Sequence, residues 1–485
     1  MVYFCLRILL RHIFSTHALP RLPPCQNRVY DSRPVLKVIC KMELKIKRGT
    51  DLRLVGAVVD VETVTEVLGV HSVAIIPEDF PGFVPKASVN AGDMVKAGSP
   101  LLYDKYNQQV VLVSPISGVV RDVERGARRK IERVIVDADD SAATETFDVS
   151  SRQPADIIST LCRSGLWAWM RQRPYDIVPL PQVSVRDIFV TAVDSAPLEP
   201  QRLYCRSDMA DIATGVEVLS YLTDGYIYIG RRPGTLGDIA GAVMVDVRGP
   251  HPAGLCGVLA ANIAPVNKGE TIWTLSVDVL RRIGTLYRTG NVDFTTVIAL
   301  AGAEVRQPQM LRTIAGAAVA PILEGRLMDA DHHRRVISGN VLTGVKTEAA
   351  DGYLHYPYRQ VTVIPEGDDV DEFMGWASLS PRKMSVSTSF PGCLCGRRLF
   401  DPDARILGGR RAMIMSGEID RVLPMDILGE YLIKAINARD IDAMENLGIY
   451  EVAPEDFALA ECLDSSKEPL QQIVRDGLDY MRREV

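Results

Sequence analysis

The pattern of apolar and polar positions changes character along the chain. From residue 89 to 123, short apolar or alternating runs are separated by glycine and proline, a pattern typical of short strands joined by tight turns. The breaks fall at Gly92, Gly98, Pro100, Pro115 and Gly118. We therefore expect residues 42–145 to form a small all-β domain.

Residues 146–289 alternate between strand and helix patterns. Residues 154–172 and 207–222 have apolar positions near helical spacing, and DIFVTAVDSAP, DGYIYIG and AVMVDVRG are typical of strands. HPAGLCGVLAANI then leads through glycines into a further helix. This alternation predicts a parallel sheet of the nucleotide-binding type. We interpret the segment as a Rossmann-like parallel α/β domain.

The rest of the chain divides into a strand-rich part and a helical part. Short strands, a helical turn and repeated small residues predict a β-grasp (SLBB-like) domain over residues 290–380. Residues 381–485 begin as an irregular segment and end in apolar stripes at helical spacing, which predict a C-terminal helical domain. The expected fold class is therefore α/β multidomain.

Composition narrows the classes of function. The 485 residues are 47% hydrophobic and 24% charged, which fits a globular protein and argues against a disordered chain. The net charge of −6 lacks the basic footprint of a nucleic-acid binder. No stretch reaches the roughly 18 uninterrupted apolar residues of a membrane helix. We expect no nucleic-acid partner and no membrane span.

Residues 1–41 differ in composition from the rest of the chain. They hold seven basic residues and one acidic residue, with an apolar patch at the start. Three interpretations remain open: translation starts at Met42, or the extension is a transit peptide, or it is a signal sequence. In each case we exclude it from the fold.

No motif indicates a redox cofactor, a metal or a catalytic residue in this chain. Neither G-x-G-x-x-G nor the P-loop pattern occurs. Of nine cysteines only Cys393 and Cys395 are close together, whereas an iron–sulfur cluster needs about four thiolates at short spacing. His332 and His333 are adjacent, so their rings diverge and a solvated pair is favoured over metal ligation.

Two features of the β domain have a functional and a structural interpretation. GDMVKAG and SPISGVV resemble hairpins of biotinyl and lipoyl carrier domains, which predicts a barrel-sandwich fold and places Lys105 near the carrier position. An ordinary surface lysine is favoured there. The charged run over residues 121–133 is expected to be a solvated turn rather than an anion clamp.

The loop RGPHPAGLCG, residues 248–257, is the best candidate for ligand contact. Its prolines rigidify it, and its glycines allow it to run close to something flat or to a neighbouring backbone. His251 could donate a hydrogen bond to a carbonyl oxygen. A connecting loop with a capping histidine is an equally good interpretation. The candidate residues are Gly249, Pro250, His251, Pro252 and Gly254.

These segments together resemble a known family, the A subunits of sodium-translocating NADH:quinone oxidoreductases. The resemblance rests on MELKIKRGTDL, GDMVKAG, SPISGVV, RGARRKI, FVTAVDSAPLEP, GPHPAGL, VISGNVLTG, DRVLPMDIL and ENLGIYEVAPEDFALAEC. It runs in order from Met42 to the C-terminus and leaves only the first 41 residues uncovered.

The resemblance implies a peripheral subunit on the cytoplasmic face of a bacterial inner membrane. It implies five partner subunits, chiefly a membrane-embedded one, in a complex that oxidises NADH, reduces ubiquinone or menaquinone and pumps sodium outward. NADH, the flavins and the iron–sulfur centre would belong to partner subunits. This chain would carry no redox cofactor and would contribute to quinone binding, with the 249–254 loop as the contact candidate.

Three hypotheses follow from the sequence. The chain is a subunit without redox groups that helps to bind quinone, or it is a purely structural scaffold of the same or a related ion-pumping oxidoreductase. The third hypothesis, an independent NAD-dependent enzyme, is disfavoured by the missing dinucleotide fingerprint.

Overall fold

The structure is a computed structural model, and it describes residues 40–139, 141–202, 204, 206–368, 384 and 398–485. The extension up to residue 39, the cysteine pair Cys393 and Cys395, and the predicted boundary at 380 lie outside the described residues.

The chain begins with strands, continues with alternating strands and helices, then a second strand-rich part, and ends in helices. In chain order the strands are β1 (Cys40–Lys45), β2 (Val64–Glu66), β3 (Ser72–Ile75), β4 (Pro85–Ala87), β5 (Met94–Val95), β6 (Pro100–Asp104), β7 (Val111–Val113), β8 (Gly118–Arg125), β9 (Ile131–Ala138), β10 (Arg171–Arg173), β11 (Asp187–Ala192), β12 (Ile227–Arg231), β13 (Val243–Arg248), β14 (Ile272–Ser276), β15 (Thr295–Ala301), β16 (Gln309–Ile314), β17 (Arg334–Ser338), β18 (Val345–Thr347) and β19 (Gln360–Pro365). The helices are α1 (Pro154–Arg163), α2 (Arg206–Ser220), α3 (Cys256–Ile263), α4 (Val277–Thr289), α5 (Ala320–Leu323), α6 (Glu418–Val422), α7 (Gly429–Ala438), α8 (Ile441–Asn446), α9 (Ala458–Leu463) and α10 (Leu470–Glu484).

The β domain consists of two small antiparallel sheets. One has the order β3-β9-β8-β5 and the other the order β4-β6-β7, and their apolar faces enclose a core that includes Leu101, Leu112 and Val134. A Cβ on Gly118 would lie 1.8 Å from the carbonyl oxygen of Asp137. Glycine is therefore required where these two strands approach.

The α/β domain has a six-stranded sheet in the order β1-β13-β12-β11-β14-β10. All neighbours pair in parallel except β10, which runs antiparallel to β14 at the edge. The interior strands are almost continuously buried, as expected for a parallel sheet covered on both faces. The predicted parallel sheet is confirmed.

The N-terminal strands differ from the predicted grouping. The sequence placed residues 42–66 with the β domain, whereas β1 pairs in parallel with β13 and β2 pairs in parallel with β16 of a third sheet. Sequence pattern alone does not reveal this, because an edge strand adds to any sheet that presents unpaired backbone groups.

The third sheet has the order β18-β17-β19-β15-β16-β2. Val361 and Val363 of β19 and Ile298 of β15 are fully buried in its core. The strand-rich unit predicted after residue 290 is therefore present.

The C-terminal helices pack around a core of their own, which Leu52 and Leu54 join from the N-terminal side. On α10 the predicted stripe is confirmed: Leu470, Val474, Leu478 and Met481 are fully buried. No helix among the described residues is long and apolar enough to cross a membrane.

A buried ion pair joins these helices to the α/β sheet. The guanidinium of Arg173 on β10 donates 2.7 Å hydrogen bonds to Asp456 Oδ2 and to the carbonyl oxygen of Glu451. Both charged side chains are essentially inaccessible, at 1% and 0% exposure. The contact fixes the C-terminal helices to the edge of the sheet.

Candidate functional site

The carboxyl edge of the parallel sheet gathers the chemically distinctive residues. The strand order reverses between β11 and β14, because β12 and β13 extend the sheet on one side of β11 while β14 lies on the other. Ligands of open α/β sheets bind at such a reversal, beyond the carboxyl ends of the strands. The loop after β11, the loop after β13 and the start of α4 meet at this edge.

The reversal point is filled by a buried cluster of carboxylates and guanidinium groups, which we call the ionic lock. Arg359, just before β19 of the third sheet, contacts Asp194 and lies 2.7 Å from Asp278 Oδ2. Arg202 Nη1 donates to both carboxylate oxygens of Asp278 at 3.1 Å. Glu199 lies 3.6 Å from Arg359.

The lock shifts the ionisation of its members in opposite directions. Burial alone would raise the pKa of Asp278, but the facing guanidinium groups of Arg202 and Arg359 hold that pKa well below its usual range. Burial and the neighbouring Asp194 raise the pKa of Glu199 to about 7. The lock therefore holds an aspartate that stays ionised and a carboxyl group that titrates near neutral pH.

The lock includes the first turn of α4. Asp278 lies in that turn, and the N-cap Ser276 accepts a hydrogen bond from Val279 N. A helix N-terminus favours negative charge in its first turn, which agrees with an ionised Asp278.

The predicted 249–254 loop lies at the same edge and packs against the backbone that follows β1. A Cβ on Gly249 would lie 2.3 Å from Ile46 O, and a Cβ on Gly49 would lie 2.1 Å from His251 O. Thr50 N donates to His251 O at 2.9 Å, and His251 N donates to Asp51 Oδ1 at 2.8 Å. The glycines thus allow a close approach between two backbone segments.

His251 is buried, with 3% of its surface exposed, and burial lowers its pKa to about 4. Its ring is therefore neutral at pH 7. Ser195 Oγ accepts from Gly254 N at 3.0 Å and lies 3.2 Å from His251 Nδ1. Either atom can be the donor of this contact, so the tautomer of the ring decides whether Nδ1 or Nε2 carries the proton. Nε2 has no hydrogen-bond partner among the described residues.

A cavity of about 40 Å³ opens beside the lock, where the β domain, α4 and the third sheet meet. Asp278 and Arg359 line both the lock and this cavity, and His251 does not line it. A buried pair faces the cavity: His355 Nδ1 lies 2.8 Å from Asp79 Oδ1, and Tyr356 N donates to Asp79 Oδ2 at 2.9 Å. Burial raises the pKa of Asp79.

Aromatic rings close the cavity wall. Tyr356 stacks on Phe80 with ring centres 5.2 Å apart and tilts against Trp169 at 4.5 Å. The Arg282 guanidinium lies 4.5 Å above the Trp169 ring, an arrangement that favours a cation over the aromatic face. The cavity combines an apolar wall with a few polar groups.

Most of these residues were not predicted from the sequence. Asp194 and Ser195 carried a signal, because the predicted strand DIFVTAVDSAP ends in polar residues at the carboxyl edge. Arg359 and the Asp79–His355 pair carried none, since residues far apart in sequence form them.

The other sequence candidates lie away from this edge. His332 Nε2 is 2.9 Å from Glu304, which Arg334 also contacts, and His333 is largely exposed beside Asp368. No group of three metal-ligating side chains is found in the described part of the chain. Lys105 is exposed just after β6.

Protein-family models and known proteins match most of the chain. Three family models match: the NqrA N-terminal barrel-sandwich hybrid domain over residues 44–139, the NqrA second alpha/beta domain over 152–292 and the NQRA C-terminal domain, an SLBB model, over 297–349. The A subunit of the Na(+)-translocating NADH-quinone reductase of Rhodopirellula baltica is 36% identical over 453 residues, covering 91% of this chain and 98% of that protein. The chain belongs to this NqrA family.

A second NqrA protein matches this chain over a similar length. The corresponding reductase protein of Yersinia pestis bv. Antiqua (strain Angola) is 34% identical over 454 residues, which cover 91% of this chain and all of that protein. The family resemblance, the barrel-sandwich domain and the SLBB-like domain predicted from sequence are confirmed. A chain of an NAD+-reducing [NiFe]-hydrogenase matches with 11% identity and a TM-score of 0.30 over 44% of this chain and 47% of that one, a similarity too weak to define a shared fold.

Proposed function

We propose that this chain is a peripheral component of a sodium-pumping NADH:quinone reductase and that it helps to bind the quinone. Membership in the NqrA family over 91% of the chain supports this. The enzyme would be the whole complex, a translocase that oxidises NADH, reduces ubiquinone or menaquinone and moves sodium outward. This chain would act at the cytoplasmic face of the inner membrane with five partner subunits, chiefly a membrane-embedded one.

In this proposal the electron carriers belong to the partners. Quinone reduction takes two electrons and two protons, so NADH, flavins and an iron–sulfur centre elsewhere in the complex would supply the electrons. The strand order β13-β12-β11-β14 supports a Rossmann-like interpretation of the α/β sheet. The ionic lock supports a sheet that takes no dinucleotide, because the loop after β11, which would carry the phosphate-binding turn of a dinucleotide site, instead supplies Asp194, Glu199 and Arg202 to the lock.

The quinone contact we propose is the loop of Gly249, Pro250, His251, Pro252 and Gly254. A quinone carbonyl needs a hydrogen-bond donor in apolar surroundings. His251 is neutral, buried and carries an Nε2 atom with no partner among the described residues. In the tautomer with the proton on Nε2, this atom is an unpaired buried donor, which is costly, and a carbonyl oxygen would satisfy it. This observation carries the assignment.

Removing this chain from the membrane complex and then adding it back tests the proposal. Membranes that lack it should still oxidise NADH with an artificial electron acceptor and should lose quinone reduction, and adding the purified chain should restore it. Quinone reduction that persists without the chain would favour a purely structural scaffold. Tight binding of NADH by the isolated chain would favour an independent dehydrogenase.

A further inference from the structure

The position of the ring proton decides which ligand atoms His251 can bind. A neutral imidazole carries one proton, so one of its nitrogens donates a hydrogen bond and the other accepts one. Burial lowers the pKa of His251 to about 4, so the ring is neutral at pH 7. The buried Nε2 atom has no partner among the described residues. A ligand would therefore meet a donor at Nε2 in one tautomer and an acceptor in the other.

Ser195 is held in place against this ring. Its Oγ atom accepts a hydrogen bond from Gly254 N at 3.0 Å and lies 3.2 Å from His251 Nδ1. Thr191 Oγ1 donates to Gly254 O at 2.7 Å, which fixes the peptide group that holds the serine. A Cβ on Gly254 would lie 2.5 Å from Ser195 Oγ, so this contact requires glycine.

The hydroxyl group of Ser195 distinguishes the two tautomers. Among the described residues, His251 Nδ1 is the one acceptor within hydrogen-bond distance of this hydroxyl. With the ring proton on Nε2, the hydroxyl donates to Nδ1, and the Nε2–H group alone lacks a partner. With the proton on Nδ1, both the hydroxyl hydrogen and the Nε2 lone pair lack one. Because unpaired polar groups in a buried site are costly, the contacts favour the proton on Nε2.

We propose that Ser195 is a positioning residue that keeps the ring proton of His251 on Nε2, so that this loop selects the oxidised form of the quinone. The inference rests on the proposed function, since it takes the quinone contact at His251 from there. A quinone carbonyl oxygen accepts the hydrogen bond that Nε2–H offers. A quinol presents a hydroxyl hydrogen instead, and Nε2–H cannot accept it. An unpaired polar group weakens binding of the wrong ligand, so the reduced product leaves this contact readily.

Nitrogen NMR of the purified full-length chain with isotope-labelled histidine tests the position of the proton. The chain has seven histidines, and the spectrum of His251→Gln identifies the signals of His251. At pH 7 the unmodified chain should show a protonated Nε2 and an unprotonated Nδ1. Ser195→Ala should move the two signals toward each other, because the hydroxyl that selects the tautomer is absent. Ser195→Thr retains a hydroxyl and should retain the unmodified pattern.

Ser164→Ala is the matched control for the NMR experiment. It removes the hydroxyl of another buried serine, which donates to Leu161 O at 3.1 Å. The signals of His251 should stay unchanged in this variant.

Steady-state kinetics of the intact complex measures the selection between the two redox forms. With a short-chain ubiquinone as substrate and its quinol as product inhibitor, the inhibition constant of the quinol should exceed the KM for the quinone at least about tenfold. Ser195→Ala should reduce this ratio severalfold, with a larger effect on KM than on kcat. A variant that only loosened the loop would weaken both ligands alike and leave the ratio unchanged.

Three results would overturn the inference. The first is a proton on Nδ1 in the unmodified chain. The second is a quinol that inhibits the unmodified complex at or below the KM for the quinone. The third is a Ser195→Ala variant with unchanged His251 signals and an unchanged ratio. The first two measurements need no variant of Ser195, so they decide the matter even if the alanine variant does not fold.

The proposed function fails separately. If His251→Ala leaves the quinone kinetics of the complex unchanged, the quinone contact is wrong wherever the ring proton lies. If His251→Ala weakens quinone reduction while the unmodified ring carries its proton on Nδ1, only the role of Ser195 is wrong.

Discussion

Replacing Glu199 by glutamine should stabilise the protein above neutral pH. Glu199 Oε2 accepts from Ala196 N at 3.2 Å, and glutamine keeps an oxygen for that bond. The carboxyl group is largely enclosed, with 24% of the side chain exposed. Burial and the negative charge of Asp194 raise its pKa to about 7. Above that pH the folded protein holds a charge that its surroundings disfavour.

The size and the sign of the stability change follow from the linkage between proton binding and folding. The unfolded chain releases this proton near pH 4.5 and the folded chain near pH 7, a difference of roughly 2.5 pH units or about 3 kcal/mol. Because the folded pKa is raised, the group's stabilising contribution is present below about pH 4 and is lost as pH rises to about 7. Water reaches part of the side chain, so we expect about 1–3 kcal/mol.

Thermal unfolding of the unmodified chain and the Glu199→Gln variant at pH 5, 6, 7 and 8 measures this difference. The melting temperatures should lie close together at pH 5 and separate by roughly 1–3 °C at pH 8, with the variant higher. Glu62→Gln, at an exposed site, should change little at any pH. A variant that is less stable at pH 8, or equally stabilised at every pH, would refute the reasoning.

Three further variants test the packing and the proposed contact. Arg173→Met should destabilise the fold by about 3–5 kcal/mol in chemical unfolding, because it leaves the buried carboxylate of Asp456 unpaired. The control Lys268→Met removes an exposed lysine from an ion pair and should destabilise the fold by less than about 1 kcal/mol. Gly257→Ala would place Cβ 2.4 Å from a guanidinium nitrogen of Arg173 and should lower the free energy of unfolding by about 1–3 kcal/mol. The control Gly409→Ala has open space around it and should leave that free energy unchanged. Equal effects of the two variants would contradict the close packing at Gly257. His251→Ala should weaken quinone reduction by the assembled complex and leave assembly intact, and unchanged quinone kinetics would reject its contact role.

The elements that a local pattern determines were predictable from the sequence. The buried strand β11, the glycine-bearing entry to α3 and the apolar stripe of α10 follow from periodicity and turn residues, and each is present. The β hairpins were predictable for the same reason, because glycine and proline separate the short apolar runs of residues 89–123.

Contacts between distant segments were not predictable in this way. The strand β1 carries a pattern that would suit any sheet edge, so its pairing with β13 depends on the assembled fold. The lock depends on Arg359, which lies 165 residues from Asp194 in sequence, and no local spacing predicts that meeting. The sequence singles out His251 as a candidate because a glycine–proline loop makes it distinctive, and its contact role stays a prediction.

Photo-crosslinking with a quinone analogue in the intact complex, followed by peptide mapping, tests the proposed quinone contact most directly. We expect label on this chain within the peptide that carries residues 249–254, reduced when excess quinone competes. Label confined to other subunits, or label here that excess quinone does not reduce, would contradict the proposed contact.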